Sequence, residues 1–310
     1  MPRLLHGALP RTLLAAALCV AATLPVGAAP KDDATHRFAA IGHLAGDEAA
    51  LKKALTASSE SSLEFVVANG IKGANEPCSD KVYQRRRQLL EDSARPLILS
   101  LAASDWTECR NSAGRSNAIE RLNRLRELFF ADPNSLGERK LQLTRLSSTA
   151  KFRSYAENAH WKVDDVLYAT VNIPSNNNHY LRAAGRNSEY EDRLVANRAW
   201  LHRLFTIAKR ENMKAVVLFT EADVARAPDA KPAPDDGFAE VRRQLDTAAK
   251  KYPGKVLLVD ADKLAIGTQP TIKWRANIGH LSLGGDAVEV TVDPAAHEMF
   301  TVRDPQAKRK

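Results

Sequence analysis

The chain has 310 residues, enough for one large α/β domain or two small ones. Its 45 Lys and Arg face 37 Asp and Glu, a net charge of +8 spread along the sequence. That excess is mild and carries no basic–aromatic pattern, which excludes a recognisable nucleic-acid module and leaves solubilising charge or a weak pull on anionic partners.

The chain opens with a secretory-signal pattern over residues 1–28. Arg3 and Arg11 are its charged part, Thr12–Val26 its apolar part, and Val26-Gly27-Ala28 its small-residue cleavage site. Pro30 disfavours a cut after Ala29, so the expected cut follows Ala28. The apolar stretch is short for a membrane span; an uncleaved anchor is the alternative. Cys19 follows Leu18 rather than a small residue, which argues against lipidation, and no later segment is long and apolar enough to span a bilayer. Cleavage would leave 43 basic against 37 acidic residues and two cysteines, Cys78 and Cys109. A periplasmic or secreted location follows from this reading. In such a compartment an even cysteine pair is expected to form a disulfide, two free thiols being the alternative.

Arg37–Gly42 reads as the first strand, and Asp47–Ala57 as a helix with Ala50, Leu51, Ala54 and Leu55 on one stripe. Leu63–Ala68 is the second strand. Ser79 should cap a helix running to about Asp92, with Val82, Leu89 and Leu90 inward. Pro96–Ala103, nearly all apolar, suits a strand buried on both faces. Asn117–Phe130 is an amphipathic helix whose expected buried side holds Ile119, Leu122, Leu125 and Leu128. Residues 134–155 are poorly patterned. A hairpin follows: Trp161–Val163, a turn at Asp164-Asp165, then Val166–Ile173. Next come a long helix over Glu189–Asn212, a strand at Ala215–Phe219, a surface loop at Ala227–Asp236, a helix over Gly237–Lys250 and a strand at Lys255–Val259. Leu281–Leu283 and Ala287–Val292, flanking Gly284-Gly285-Asp286, read as a closing hairpin. Residues 29–310 are expected to form a single domain.

Six of these apolar runs stop at polar residues, and helical patterns separate most of them. This is an α/β layout, in which a ligand crevice lies beyond the carboxyl ends of the strands. The crevice candidates are His43, Asn69, Ser104, Asp105, Asn176, Asn177, Asn178, His179, Glu221, Asp223, Asp260 and Asp262. A two-metal hydrolytic centre needs about six converging oxygen and imidazole ligands. Here no carboxylate stands at the end of the second strand and no close histidine pair occurs.

The stretch Ala102-Ala103-Ser104-Asp105-Trp106-Thr107-Glu108-Cys109 resembles Gly-Asp-Asn-Glu-Trp-Thr-Asp-Cys in a secreted bacterial branch of the calcineurin-like metallophosphoesterases. Phe129-Phe130-Ala131-Asp132-Pro133, Ser135-Leu136-Gly137, Ser175-Asn176-Asn177-Asn178 and Val290-Thr291-Val292-Asp293-Pro294 continue the resemblance, which covers residues 37 to 302. It implies a four-layer α/β/β/α sandwich with a crevice at the strand ends. The family's metal motifs are not kept. Its first-strand aspartate and the histidine after it read His43 and Ala45; its Gly-Asp after the second strand reads Asn69-Gly70. Its asparagine ligand falls on Ser104, and its late His-Gly-Asp-x-His reads Asp260-Ala261-Asp262-Lys263-Leu264.

The expected protein is therefore a pseudoenzyme of this fold: it has no cofactor and holds a small anionic ligand or an envelope protein without catalysis. The alternative is a phosphoester hydrolase with one divalent metal on His43, Asp105, Glu221, Asp260 and Asp262, assisted by Asn176 or His179. A purely structural envelope role is a third reading. Lys263 is expected beside Asp260 and Asp262, where its ammonium would compete with a metal. His160, His202, His280 and His297 read as ordinary surface or satisfied histidines. A Ser104/His43/Asp260 triad can be written down, but no spacing favours it. Trp106 is expected over the disulfide, with ligand stacking as the alternative. No Gly-x-Ser-x-Gly, His-Glu-x-x-His or Walker pattern appears.

Overall fold

Runs of Val, Ile, Leu and Phe with no polar interruption can be buried on both faces, and here they become strands. The computed structural model describes residues 35–42, 48–59, 62–183, 185, 187–224, 235–265, 267–285 and 287–303. The signal pattern, His43 and most of the Ala227–Asp236 loop lie outside them. In chain order the elements are β1 His36–Ile41, α1 Glu48–Ser59, β2 Phe65–Asn69, α2 Asp80–Glu91, β3 Leu97–Ser100, α3 Ala103–Trp106 and α4 Ala118–Phe129. They continue with β4 Thr144–Arg145, β5 Ala159–Val163, β6 Val166–Thr170, α5 Ser188–Arg210, β7 Ala215–Phe219 and α6 Ala239–Lys250. The chain then adds β8 Lys255–Asp260, β9 Lys273–Arg275, β10 Ile278–Ser282, β11 Ala287–Val292 and β12 Phe300–Arg303.

Two sheets result. One has the order β12-β11-β1-β2-β3 and the other β4-β5-β6-β7-β8-β10-β9. β1, β2 and β3 run parallel, as do β6, β7, β8 and β10. Period-two alternation gives each strand two apolar faces. Phe38, Phe65, Val67 and Ile98 meet Trp161, Tyr168, Phe219 and Leu257 between the sheets. The opposite faces are covered separately. Leu55, Leu90 and Leu125 of α1, α2 and α4 pack on the first sheet, and Trp200, Leu204 and Leu245 of α5 and α6 on the second. The architecture is a four-layer α/β/β/α sandwich. No helix among the described residues is long and apolar enough to cross a membrane.

Two local readings need correction. Leu281–Leu283 and Ala287–Val292 are not a hairpin: β10 pairs with β8 and β9, while β11 pairs with β1 and β12. The chain crosses between sheets there, and a Cβ on Gly42 would lie 2.1 Å from the carbonyl oxygen of Gly284, so only glycine fits. In α4 the buried stripe is Ala118, Leu122, Leu125 and Phe129, whereas Ile119 is 54% exposed. Steps of four, three and four residues track one face of a 3.6-residue helix; steps of three drift off it. The poorly patterned segment 134–155 supplies the edge strand β4 and two 3₁₀ turns. The Trp161–Ile173 hairpin does form, with Asp164 at φ 49° in its turn. Ser79 caps α2, accepting from the amide of Val82.

His160 on β5 is buried, and neither ring nitrogen has a hydrogen-bond partner among the described residues. Burial, then the charge of Arg203, holds its pKa down at about 4. A histidine kept neutral in the fold supports stability above its ordinary pKa of 6.5; that support is lost as pH falls toward 4. Its full size is about 3 kcal/mol. Replacing His160 with Phe should remove this acid sensitivity. Urea midpoints at pH 7.5 and pH 5 check it: wild type should lose more stability on acidification than the variant, and equal losses would refute it.

Candidate functional site

The strand-end residues lie on loops that the two sheets bring together, and most are buried. Glu221 follows β7 and is 5% exposed. Its Oε2 accepts from the amide of Ala103 (2.6 Å), at the start of α3, and from the amide of Ser175 (2.7 Å), after β6. Burial pushes its pKa up to about 7; the two amides oppose this, and the nearby charge of Asp105 adds to it. Asp105 is fully buried and also accepts backbone amides, from Ile71 (3.0 Å) and Ala102 (2.8 Å). Asn69, at the end of β2, donates its Nδ2 to the carbonyl of Thr220 (2.7 Å) across the sandwich. The Ser104 hydroxyl donates to the carbonyl of Lys72 (2.9 Å). Lys72 itself is 4% exposed and donates its ammonium to the carbonyl of Gly73. Burial lowers its pKa, and the charge of Asp105 opposes that.

After β6 the chain makes a left-handed turn. Asn177, Asn178 and His179 have φ of 55°, 54° and 55°, a region costly for side chains other than glycine and tolerated best by Asn and Asp. Side chains hold it there. Asn177 donates to the carbonyl of Asp235 and accepts from the amide of Gly237; Asn178 donates to the carbonyl of Gly237. Arg193 of α5, fully buried, grips both the side chain and the carbonyl of Asn178 and pairs with Glu189 at 2.7 Å. His179 Nδ1 lies 3.0 Å from Glu189 Oε2, and its ring meets the edge of Trp106. Burial raises the Glu189 pKa, but Arg193 and His179 outweigh it and leave it at about 2. Asn176 donates to the Thr107 hydroxyl at 2.8 Å.

A third group sits at the end of the second sheet. His280 Nε2 is 2.5 Å from Asp260 Oδ2 and 3.1 Å from Asp223 Oδ1. Asp260 Oδ1 accepts from the amide of Asp262, and the Ser282 hydroxyl lies 3.4 Å from Asp260 Oδ2. Burial raises the Asp260 pKa, against the bond from His280. Burial would lower that of His280, but Asp223 and Asp260 overcome it and raise it to about 10. The trio is thus an imidazolium between two carboxylates.

The candidate residues therefore divide among three clusters rather than converging on one open pocket. Asn69, Ser104, Asp105 and Glu221 fasten loops; Asn176, Asn177, Asn178 and His179 build the left-handed turn; Asp223 and Asp260 meet His280. Asp262 is half-buried and takes the backbone amide of Lys263, whose side chain is exposed. The cysteines are bonded, with Cα atoms 5.8 Å apart, and the phenol of Tyr83 lies 3.6 Å from Cys109 Sγ. Trp106 is fully buried in the core of the first sheet. The sequence reading missed Lys72, Arg193 and the role of His280. The last was findable: read as a strand parallel to β8, Ile278–Ser282 puts His280 and Ser282 on one face, with Ser282 opposite Asp260.

No family model matches this chain, and no curated protein does. Among solved structures it is similar to TT1561 of Thermus thermophilus, at 12% identity and a TM-score of 0.45, over 87% of this chain and 99% of that one. A likeness of that strength transfers neither a site nor an activity. What fold and geometry define is a two-sheet α/β sandwich with internally bonded polar strand ends.

A carboxyl whose pKa is raised in the fold supports stability below its ordinary value of 4.5 and loses that support as pH rises toward about 7. For Glu221 the loss amounts to about 3 kcal/mol. Glu221→Gln retains a carbonyl acceptor for the two amides and should abolish this part of the pH dependence. Urea denaturation at pH 4.5 and pH 7.5 reads the difference; parallel behaviour of variant and wild type would show that Glu221 is already ionised in the fold.

Proposed function

We propose that this chain is an exported protein of metallophosphoesterase type in which the two-metal centre has been dismantled, and that it holds a small anionic ligand or an envelope protein without turning it over. The observation that carries the reading is Asn69. At the place where the resembling family sets the carboxylate that bridges its ions, Asn69 presents an amide that donates to the Thr220 carbonyl. A neutral amide lacks the negative charge that a bridging carboxylate shares between two cations; the Asn69 Oδ1, which has no hydrogen-bond partner among the described residues, could serve at most as a single neutral ligand. Its neighbours agree. Ser104, at the family's asparagine position, donates its hydroxyl to a carbonyl, and the buried ammonium of Lys72 stands within the field of Asp105. Export is supported by the amino-terminal pattern and by the Cys78–Cys109 bond, a pairing typical of oxidising compartments.

The test is metal analysis of protein purified without chelator, paired with aryl-phosphate turnover across manganese, zinc, magnesium and calcium. At most one ion per chain and no turnover above a protein-free blank are expected. Two ions per chain with turnover would overturn the proposal, and turnover with one ion would mark a mononuclear hydrolase instead.

A further inference from the structure

We propose that Asp223, Asp260 and His280 bind one divalent transition-metal ion, of the zinc or manganese class, away from the position of the family's metal pair. Three separate elements deliver the ligands: the loop after β7, the end of β8, and β10. One oxygen from each carboxylate and one imidazole nitrogen lie within 4.8 Å of one another. Donor atoms that share a tetrahedral ion stand roughly 3.3 Å apart. The observed spacings from His280 Nε2, 2.5 Å and 3.1 Å, need only small adjustment to reach that.

The surroundings also suit an ion. Asp260 is held by one oxygen: Oδ1 takes the Asp262 amide at 2.8 Å, which leaves Oδ2 aimed at the centre of the trio. Such outer bonds fix the orientation of metal-binding carboxylates. Ser282, directly opposite Asp260 in the β8–β10 register, places its hydroxyl 3.4 Å from the same oxygen. It can supply or position a fourth ligand. Access is graded: the Asp260 side chain is 1% exposed, those of Asp223 and His280 12% and 20%, so an ion can enter from the side of the latter two. Two carboxylates match the charge of one divalent ion; the ion takes the place of the His280 ring proton, which leaves to solvent, and the neutral imidazole then favours the transition metals over calcium or magnesium.

The placement separates this site from the family's centre. Along β8, Asp260 shares a face with Val256 and Leu258, which pack beneath α5 and α6. Along β2, Asn69 shares a face with Phe65 and Val67, which look into the space between the sheets. Asp260 opens the segment that reads in place of the family's late metal motif, so the separation rests on the face of β8 from which it projects, the face His280 and Ser282 share on β10. An ion here is compatible with a catalytic or a non-catalytic protein.

Isothermal titration of the chelator-treated, untagged chain with zinc chloride and with manganese chloride tests the site. One ion per chain is expected, with at least tenfold weaker binding in Asp223→Asn and in His280→Gln. Cobalt(II) loading should give a visible absorption band that His280→Gln removes. Asp223 is on a loop at the rim, so its variant should keep the fold, which circular dichroism verifies. No saturable binding up to millimolar metal would overturn the site, as would binding that both variants leave intact. Phosphoester turnover is read separately: one bound ion without turnover supports both proposals, and turnover on that ion overturns the non-catalytic reading alone.

Discussion

One carboxylate oxygen fastens the carboxyl ends of the two sheets to each other. Glu221 Oε2 receives an amide from the start of α3, which follows β3 of the first sheet, and another from the loop after β6, in the second. The aromatic layer between the sheets cannot do this. Phe38, Phe65, Tyr168 and Phe219 pack without strong directional demand, and apolar contact alone tolerates small slips of one sheet over the other. Buried amides do not tolerate them, because a donor left without an acceptor costs about 1–3 kcal/mol. Glu221 and the Asn69–Thr220 bond convert a loose stacking preference into a fixed register of loops. Asp105 repeats the device within the first sheet, joining the loop after β2 to the start of α3.

That solution leaves little polar capacity facing outward. A carboxylate that accepts two amides from its own chain is a poor ligand for an incoming cation, and an asparagine that donates to a carbonyl is no ligand through that nitrogen. The same economy explains the left-handed turn. Three successive residues in a strained conformation persist only if the surroundings define them completely. Here each asparagine side chain is tied to the 235–237 segment or to Arg193, and Arg193 is neutralised by Glu189. The turn, α5 and the segment leading into α6 therefore behave as one unit.

The fold was legible because it rests on patterns that one strand or helix carries alone. Val166–Ile173 and Ala215–Phe219 announce buried strands by composition, and Ser79 announces a helix start. Partnership between distant strands is not written that way. Ala287–Val292 has the same alternation whether it returns against β10 or crosses to β1, and the glycines beside it permit either. The site was legible as a set of polar strand ends, but not as three clusters. Asp260 and Glu221 look alike in sequence, each an acid closing an apolar run. Their fates differ because Glu221 projects toward two loop amides whereas Asp260 projects toward an imidazole on a strand whose pairing was misread. Lys72 and Arg193 stood among many basic residues, and burial alone sets them apart.

Two buried titratable groups, Glu221 and His160, pull stability in opposite directions over the same interval of acidity. Glu221 favours the fold in its protonated form, so raising the pH toward 7 works against it. His160 favours the fold in its neutral form, so the same rise works for it. They occupy different environments: one lies at the seam between the sheets, and the other on β5, tilted against the Trp200 ring of α5. Each is destabilising at one end of the range, yet their sum varies less with pH than either alone. The two slopes separate in single variants: His160→Phe leaves the Glu221 slope in place, and Glu221→Gln leaves that of His160.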